Sequence, residues 1–342
     1  RASTTRRVNG VKTITAVGNL HDSTAANPFM LDFRMIRFPL SVVNPFLPGG
    51  TASLAGMLNG EMEITGSLTE PVLNGFLDFD TTSVNVAMLG TAFAFSEEKI
   101  PVKDNVVSFD NFSIKGVNEN PLRINGSVDL HSITSPGIDL SFQARNMQVV
   151  GSQKNRKSQV YGKAFVSLDA AVKGSLRFLD VNASLNLLPG TNVTYVMTDA
   201  VSDLQSRSTQ DMVKFVNFRD TAAVENADTV PDPSMLMNIN AKLEISSGTT
   251  VSVDLSADGK SKAQVQPEGS LGYTMDYMGD QRTTGRININ GGFVRYNIPV
   301  MGEKSFDFKE GSYIVFNGDM LSPQLNVEAT DQIRANVSQS GG

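Results

Sequence analysis

One periodicity governs the chain: apolar and polar residues alternate with a period of two. In Leu122-Arg123-Ile124-Asn125-Gly126-Ser127-Val128-Asp129-Leu130 the even positions are apolar or Gly and the odd ones are polar. Ile138-Asp139-Leu140-Ser141-Phe142-Gln143-Ala144-Arg145 repeats the pattern, as do 166–173, 237–245 and 251–255. Successive side chains of a strand point to opposite faces, so each segment predicts a strand with one apolar and one wet face. Turn signals separate the segments: Pro48-Gly49-Gly50, Pro136-Gly137, Pro189-Gly190, Asp258-Gly259 and Gly291-Gly292. Strands joined by tight turns without intervening helices predict an antiparallel meander. Roughly twenty strands fit, at about 5–6 residues each plus turns.

One stretch breaks the pattern. Residues 198–230 are polar, and Ser208-Thr209-Gln210-Asp211 before Met212, Val213, Phe215 and Val216 predicts a short helix near 208–217. The run from Arg219 to Pro233 reads as a mobile loop. The chain thus divides into a sheet block over 1–200, a polar insertion over 201–230 and a second sheet block over 231–342. The two blocks are expected to share one sheet. A continuous apolar face must be covered, and no amphipathic helix is available to do it. Two sheets can pack as a sandwich, or one can close as a barrel or β-helix. Alternatively, one sheet can curl into a trough whose inside a ligand partly fills. Hydrophobic residues make up only 40% of the chain, and the 14 Met suit contact with variable apolar partners. On pattern alone all three solutions stay open.

Composition excludes several functions. The 29 Lys and Arg against 35 Asp and Glu give a net charge of -6, which argues against nucleic-acid binding. No Cys is present, so disulfides, thiolate nucleophiles and Cys-based zinc sites are ruled out. Only His21 and His131 are available for imidazole chemistry, and both read as isolated surface or strand-edge residues. No window reaches the ~18 apolar residues of a membrane span. Arg1 carries no leader signal, and the chain reads as a piece of a longer protein.

The apparent motifs fail in their details. A calcium loop starting at Asp254 would need Glu at its twelfth position, which is Val265. Gly259-Lys260-Ser261 has Asp254 where a phosphate loop needs Gly. Ser96-Glu97-Glu98-Lys99 has the spacing of acyl-serine enzymes without their partner motifs, and reads as a charged hairpin tip. Asp78 and Asp80 share a strand face and read as solvated. Lys154, Arg156 and Lys157 read as a solvated turn, or as a contact for anionic lipid head groups. No metal, cofactor or catalytic constellation is predicted.

The C-terminal end narrows the choice. Gly292-Phe293-Val294-Arg295-Tyr296 leads into Phe306, Phe308, Gly311, Ile314, Phe316 and Gly318, then Pro323, Leu325, Val327 and Ala329. This order resembles the C-terminal domain of the TamB family, the translocation and assembly module proteins of bacterial envelopes. Leu54 to Gly66 and Pro71 to Phe79 resemble that family's Gly-punctuated repeat, and the resemblance spans most of residues 30–337. The Asn- and Asp-rich strands resemble a Bacteroidetes-type member. The resemblance implies a long curled sheet (a β-taco) with a hydrophobic groove. It implies a periplasmic segment of a protein that is anchored in the inner membrane and reaches the outer one. The implied partners are phospholipid and a BamA-like barrel such as TamA. The implied roles are phospholipid transport and help with outer-membrane protein assembly.

On this reading one face of the strands lines the groove. Its residues are Leu122, Ile124, Val128, Leu130, Ile138, Leu140, Phe142, Val166 and Leu168. They continue through Met235, Met237, Ile239, Leu243, Ile245, Val251, Val253 and Leu255. The set ends with Ile287, Ile289, Phe306, Phe308, Ile314, Phe316, Leu325 and Val327. Arg123, Asp139, Asn240, Lys242 and Asp254 are expected to face water. Leu325 to Val337 is expected to form or adjoin an exposed edge where a barrel adds a strand. The competing expectation is a structural β-solenoid or adhesin-like stalk filled by its own side chains.

Overall fold

Alternation with frequent turns folds as it must, into one 21-stranded sheet in a computed structural model. The structure describes residues 2–8, 11–20, 29–47, 52–67, 69–154, 159–197, 236–256, 259–298 and 302–331. The expected helix near 208–217 and the loop after it lie outside them.

The first strands form an antiparallel meander: β1 (Ala2–Val8), β2 (Val11–Leu20), β3 (Phe29–Pro39), β4 (Ala52–Gly66) and β5 (Pro71–Val86). The next level is split. β6 (Thr91–Phe95) and β7 (Ile100–Lys103) both run antiparallel to β5, end to end, and both pair with β8 (Val106–Lys115). The meander continues through β9 (Pro121–Asp129), β10 (Gly137–Ser152) and β11 (Val160–Ser175). A second split level, β12 (Phe178–Leu187) plus β13 (Asn192–Val196), follows β11.

The sheet is antiparallel-rich as expected, with one parallel junction. β14 (Leu236–Ile245) pairs parallel with β12, and β15 (Thr250–Asp254) pairs parallel with β13, both at an offset of 58 residues (Phe178↔Leu236, Asn192↔Thr250). The paired sequences are alike. Asn182-Ala183-Ser184-Leu185 lies beside Asn240-Ala241-Lys242-Leu243, and Gly190-Thr191-Asn192-Val193 beside Gly248-Thr249-Thr250-Val251. Two copies of one strand pattern stack in register, so each residue meets its counterpart. Antiparallel pairing resumes with β16 (Lys262–Met275) and β17 (Gln281–Ile298). Two split levels end the sheet: β18 (Gly302–Phe308) with β19 (Ser312–Gly318), then β20 (Gln324–Asn326) with β21 (Ala329–Asp331).

Several turn signals therefore mark kinks and not reversals. Pro189-Gly190 lies in the break between β12 and β13, where the chain keeps its direction. Gly291-Gly292 sits within β17 at a bulge opposite Val265 and Pro267. Ser96-Glu97-Glu98-Lys99 is the break between β6 and β7, not a hairpin tip. Pro136-Gly137 does mark a reversal, into β10.

Unequal strand lengths curl the sheet. β8 and β9 have 10 and 9 residues, while β5, β10 and β11 have 16 each. Beyond the tip of the short β8–β9 hairpin, β6 comes against β10, and the 3-10 turn Ala87–Leu89 comes against β11. Val117 N–H donates to the Gln148 carbonyl at 3.1 Å and fixes the tip on β10. Gly116 permits this approach, since a Cβ there would lie 2.5 Å from the same carbonyl oxygen. Two apolar clusters fill the bend. Phe93, Ala144, Met147 and Val166 form one, and Ile100, Val102, Val107 and Phe112 the other.

Candidate functional site

Registers across the sheet show how the apolar positions line up, because paired residues share a face. One row of partners runs Ile114, Leu122, Ala144, Leu168, Leu185, Leu243, Leu271, Gly285 and Phe316 through nine strands. A second runs Met147, Val166, Leu187, Ile245, Gly269, Ile287, Ile314 and Leu325. A third runs Phe112, Ile124, Phe142, Ala170, Ala183, Ala241 and Tyr273. Beside them, Leu140 lies level with Val172, Val181 and Ile239, and Ile138 with Val128 on one side and, through Gly174 and Leu179, with Met237 on the other.

The remaining positions extend this face. Val251 is paired with Val193 and Val265, and Val253 with Tyr195 and Ala263. Phe306 is paired with Val294, Phe308 with Ala329, and Ile289 with Pro267 and Ser312. Leu130, Leu255 and Val327 lie just outside paired stretches, and Met235 lies outside the described residues. The face also holds residues that the sequence reading passed over: Leu179, Val181, Ala183, Leu185 and Leu187 of β12. Their own alternation, or a comparison of the sequence with itself at an offset of 58, finds them.

Exposure along this face is uneven. In the bend, Ala144, Met147, Val102 and Phe112 are each at most 4% exposed. Elsewhere the face is half-buried, at Ile138, Leu140, Phe142, Leu168, Val172 and Val181 and again at Met237, Ile239, Leu243, Ile245, Val251 and Val253, while Pro267, Ile287 and Ile289 are buried. At the last edge Leu325 is 66% exposed and Phe306 and Val327 are each 38% exposed.

The opposite face is polar. Arg123, Gln143, Asp169, Ser184 and Lys242 form one row of partners, and Asn125, Ser141, Ala171, Asn182 and Asn240 another. Arg123, Asp139, Asn240 and Lys242 are exposed as expected. The Arg145 guanidinium holds both Asp169 oxygens at 2.8 Å and, with Gln143, keeps that carboxyl below its ordinary value. Exposed pairs like this contribute little to stability.

Asp254 departs from expectation. It lies on the polar side but is buried, 2% exposed, with Lys154 Nζ at 2.7 Å and the Tyr161 hydroxyl at 3.0 Å donating to Oδ2. Lys154 extends from the end of β10 and Tyr161 from β11, and together they hold the carboxylate away from water. This also assigns Lys154, one of the three basic residues, to an ion pair; Arg156 and Lys157 lie outside the described residues. Asp80 is paired with Arg37 at 3.4 Å, and exposed His131 with Asp129 at 2.6 Å.

A hollow of about 740 Å³ lies against β3, β4 and β5. Asp32, Arg34, Glu61 and Glu63 line it together with Phe33, Ile36, Met62 and Phe76, a mixed surface. Among the described residues no group of His, Asp and Glu is placed to hold a metal ion, and no helix is long and apolar enough to cross a membrane. What distinguishes the chain is the apolar face itself.

Residues 110–342 match the model of the TamB C-terminal domain. The chain belongs to the TamB family. No curated protein and no solved structure matches it. TamB proteins are non-catalytic components of the bacterial envelope, and the family works with the outer-membrane assembly machinery. Membership therefore gives this chain an envelope role of the TamB type. The matched span runs from within β8 to the last residue, so it takes in most of the half-open apolar face.

Proposed function

We propose that the chain shields phospholipid acyl chains on its apolar face. In the complete protein it would carry phospholipid between inner and outer membrane and assist outer-membrane protein assembly with a BamA-like barrel such as TamA. The supporting observation is the set of apolar rows that cross strand after strand without a change of face, half-open to solvent beside the packed clusters and again on β14 and β15. Each acyl CH₂ laid on such a surface avoids about 0.8 kcal/mol of hydration cost. An apolar lining offers no polar trap, so sliding needs no chemistry, and head groups stay at the open seam in water.

A side-chain-filled stalk is the competing reading. The buried clusters around Met147 and Phe112 favour it for the middle of the sheet. The half-exposed rows of the C-terminal half favour lipid there. Extraction and native mass spectrometry of the purified chain separate the two. Copurified phospholipid is the expected result, and a chain free of lipid after mild purification would favour the stalk.

A further inference from the structure

We propose that one rim of the sheet, the row of hairpin tips from β9 to β20, docks on a membrane surface by inserting its apolar tip residues into the bilayer interface. The registers place four tips side by side on this rim. They join β9 to β10, β11 to β12, β16 to β17 and β19 to β20. Each projects apolar side chains into solvent: Ile133 at the first, Leu176 and Phe178 at the second, Met278 at the third, Met320 and Leu321 at the fourth. The tips are tied to one another. Leu176 N–H donates to the Pro136 carbonyl at 3.1 Å, which joins the second to the first. The Tyr277 ring stands edge-on to Phe178 at 5.9 Å and its hydroxyl donates to Asp180 at 2.9 Å, which joins the third to the second across the parallel junction. The pairing of Thr283 with Gly318 sets the fourth beside the third. The Asp276 carboxylate accepts from Met278 N–H, and the Asp319 carboxylate from Leu321 N–H, both at 2.8 Å. The same Asp-x-apolar turn thus presents the two most exposed of these side chains, Met278 at 90% and Leu321 at 91%.

Spacing and charge identify the occupant. Successive levels put neighbouring tips about 10–14 Å apart, over about 35 Å in all. A stable protein partner needs a contiguous packed patch of about 800 Å². Separate side chains with carboxylates between them do not make one. A fluid bilayer interface admits each side chain on its own, and Leu, Phe and Tyr favour that depth. The tip residues 129–136, 176–177, 276–280 and 319–323 carry Asp129, Asp276, Asp280 and Asp319 against Arg177. Attachment is therefore by apolar insertion and not by attraction to anionic head groups. Docked this way, the C-terminal part of the trough lies along the bilayer with which it would exchange lipid. The docking itself does not depend on lipid being held in the trough.

The chain has no Trp, so a single Trp at a tip reports its own surroundings. Met278→Trp and Leu321→Trp are each mixed with neutral phosphatidylcholine vesicles. Met88→Trp is the control, at an exposed position in the turn beside the start of β11, on the opposite rim. The proposal expects emission from both tip variants to move to shorter wavelength and to be quenched by bromine on the acyl chains, with Met88→Trp unchanged. In vesicle flotation, Met278→Ser and Leu321→Ser each lower affinity roughly tenfold. Adding phosphatidylglycerol does not raise affinity, and high salt does not lower it. An equal response from Met88→Trp overturns this rim as the docking surface. Binding that requires phosphatidylglycerol and is lost in high salt overturns apolar insertion. No response at either tip overturns the proposal and leaves the rim to a protein partner. The lipid reading stands or falls separately, on copurified phospholipid.

Discussion

Lys154 and Asp254 are a hundred residues apart in sequence, yet they form the one ion pair among those described that buries a carboxylate almost completely. Removing one partner of a fully buried pair costs roughly 3–5 kcal/mol, because the other is left charged and unpaired. The Lys154 side chain is 46% exposed, so solvent screening reduces that figure. Lys154→Met is expected to lower unfolding free energy by about 1–3 kcal/mol at neutral pH, measured by urea denaturation. The Asp254 hydrogen bond raises the Lys154 pKa above its ordinary 10.5. A raised lysine contributes stability that is fully present below the unfolded value and is lost as pH rises through the folded one. The gap between the native chain and Lys154→Met should therefore hold at pH 7–9 and narrow above 10.5. Sequence reading left Asp254 in water because parity fixes the side of the sheet a residue is on. It does not say what reaches over that side from three levels away.

Elements were legible wherever alternation was clean. β9, β10, β11 and β14 follow the period of two, and their faces agree with the registers. The kinks were not legible as kinks, since a Pro-Gly pair that reverses a chain and one that bulges it look alike. Pro136-Gly137 does the first and Pro189-Gly190 the second. The parallel junction was missed because a local turn rule carries no information about a return after 58 residues, although the repeated Asn-Ala-x-Leu marks it. Glycines inside strands set the curvature. Gly285 has φ +133, and a Cβ there would lie 2.2 Å from the Ser270 carbonyl oxygen on β16. Gly285→Ala should destabilise the chain by about 1–3 kcal/mol in thermal or urea melts. Gly291→Ala, with its nearest neighbour at 3.5 Å, should stay within about 0.5 kcal/mol. At the sheet edge, among the described residues, β20 pairs with β19 alone and β21 with β18 alone. Photo-crosslinkers at Leu325 and Ala329 in the complete protein should capture an outer-membrane barrel; capture confined to the β1–β2 end would place the docking edge there instead.

At the scale of the molecule, eleven strands stand alone and ten join end to end into five split levels, which makes sixteen levels from the twenty-one strands. At about 4.8 Å per level the sheet extends roughly 75 Å along its hydrogen-bonding direction. Composition and period foresaw one long curled sheet, but where its interior packs depends on which strands are short, and that is set by how each strand pairs with its neighbours. From β8 to β19 the sheet keeps one greasy and one wet side, and the account depends on which side holds lipid. Leu243 and Lys242 test it most directly. They are sequence neighbours on β14; Leu243 sits in the row with Leu185 and Leu271, and Lys242 in the row with Ser184 and Gly272. A photo-crosslinker placed at each in turn, with the chain exposed to phospholipid vesicles, should capture phospholipid at Leu243 and not at Lys242. Equal capture at both positions, or capture at Lys242 alone, would contradict the assignment of the apolar face to lipid.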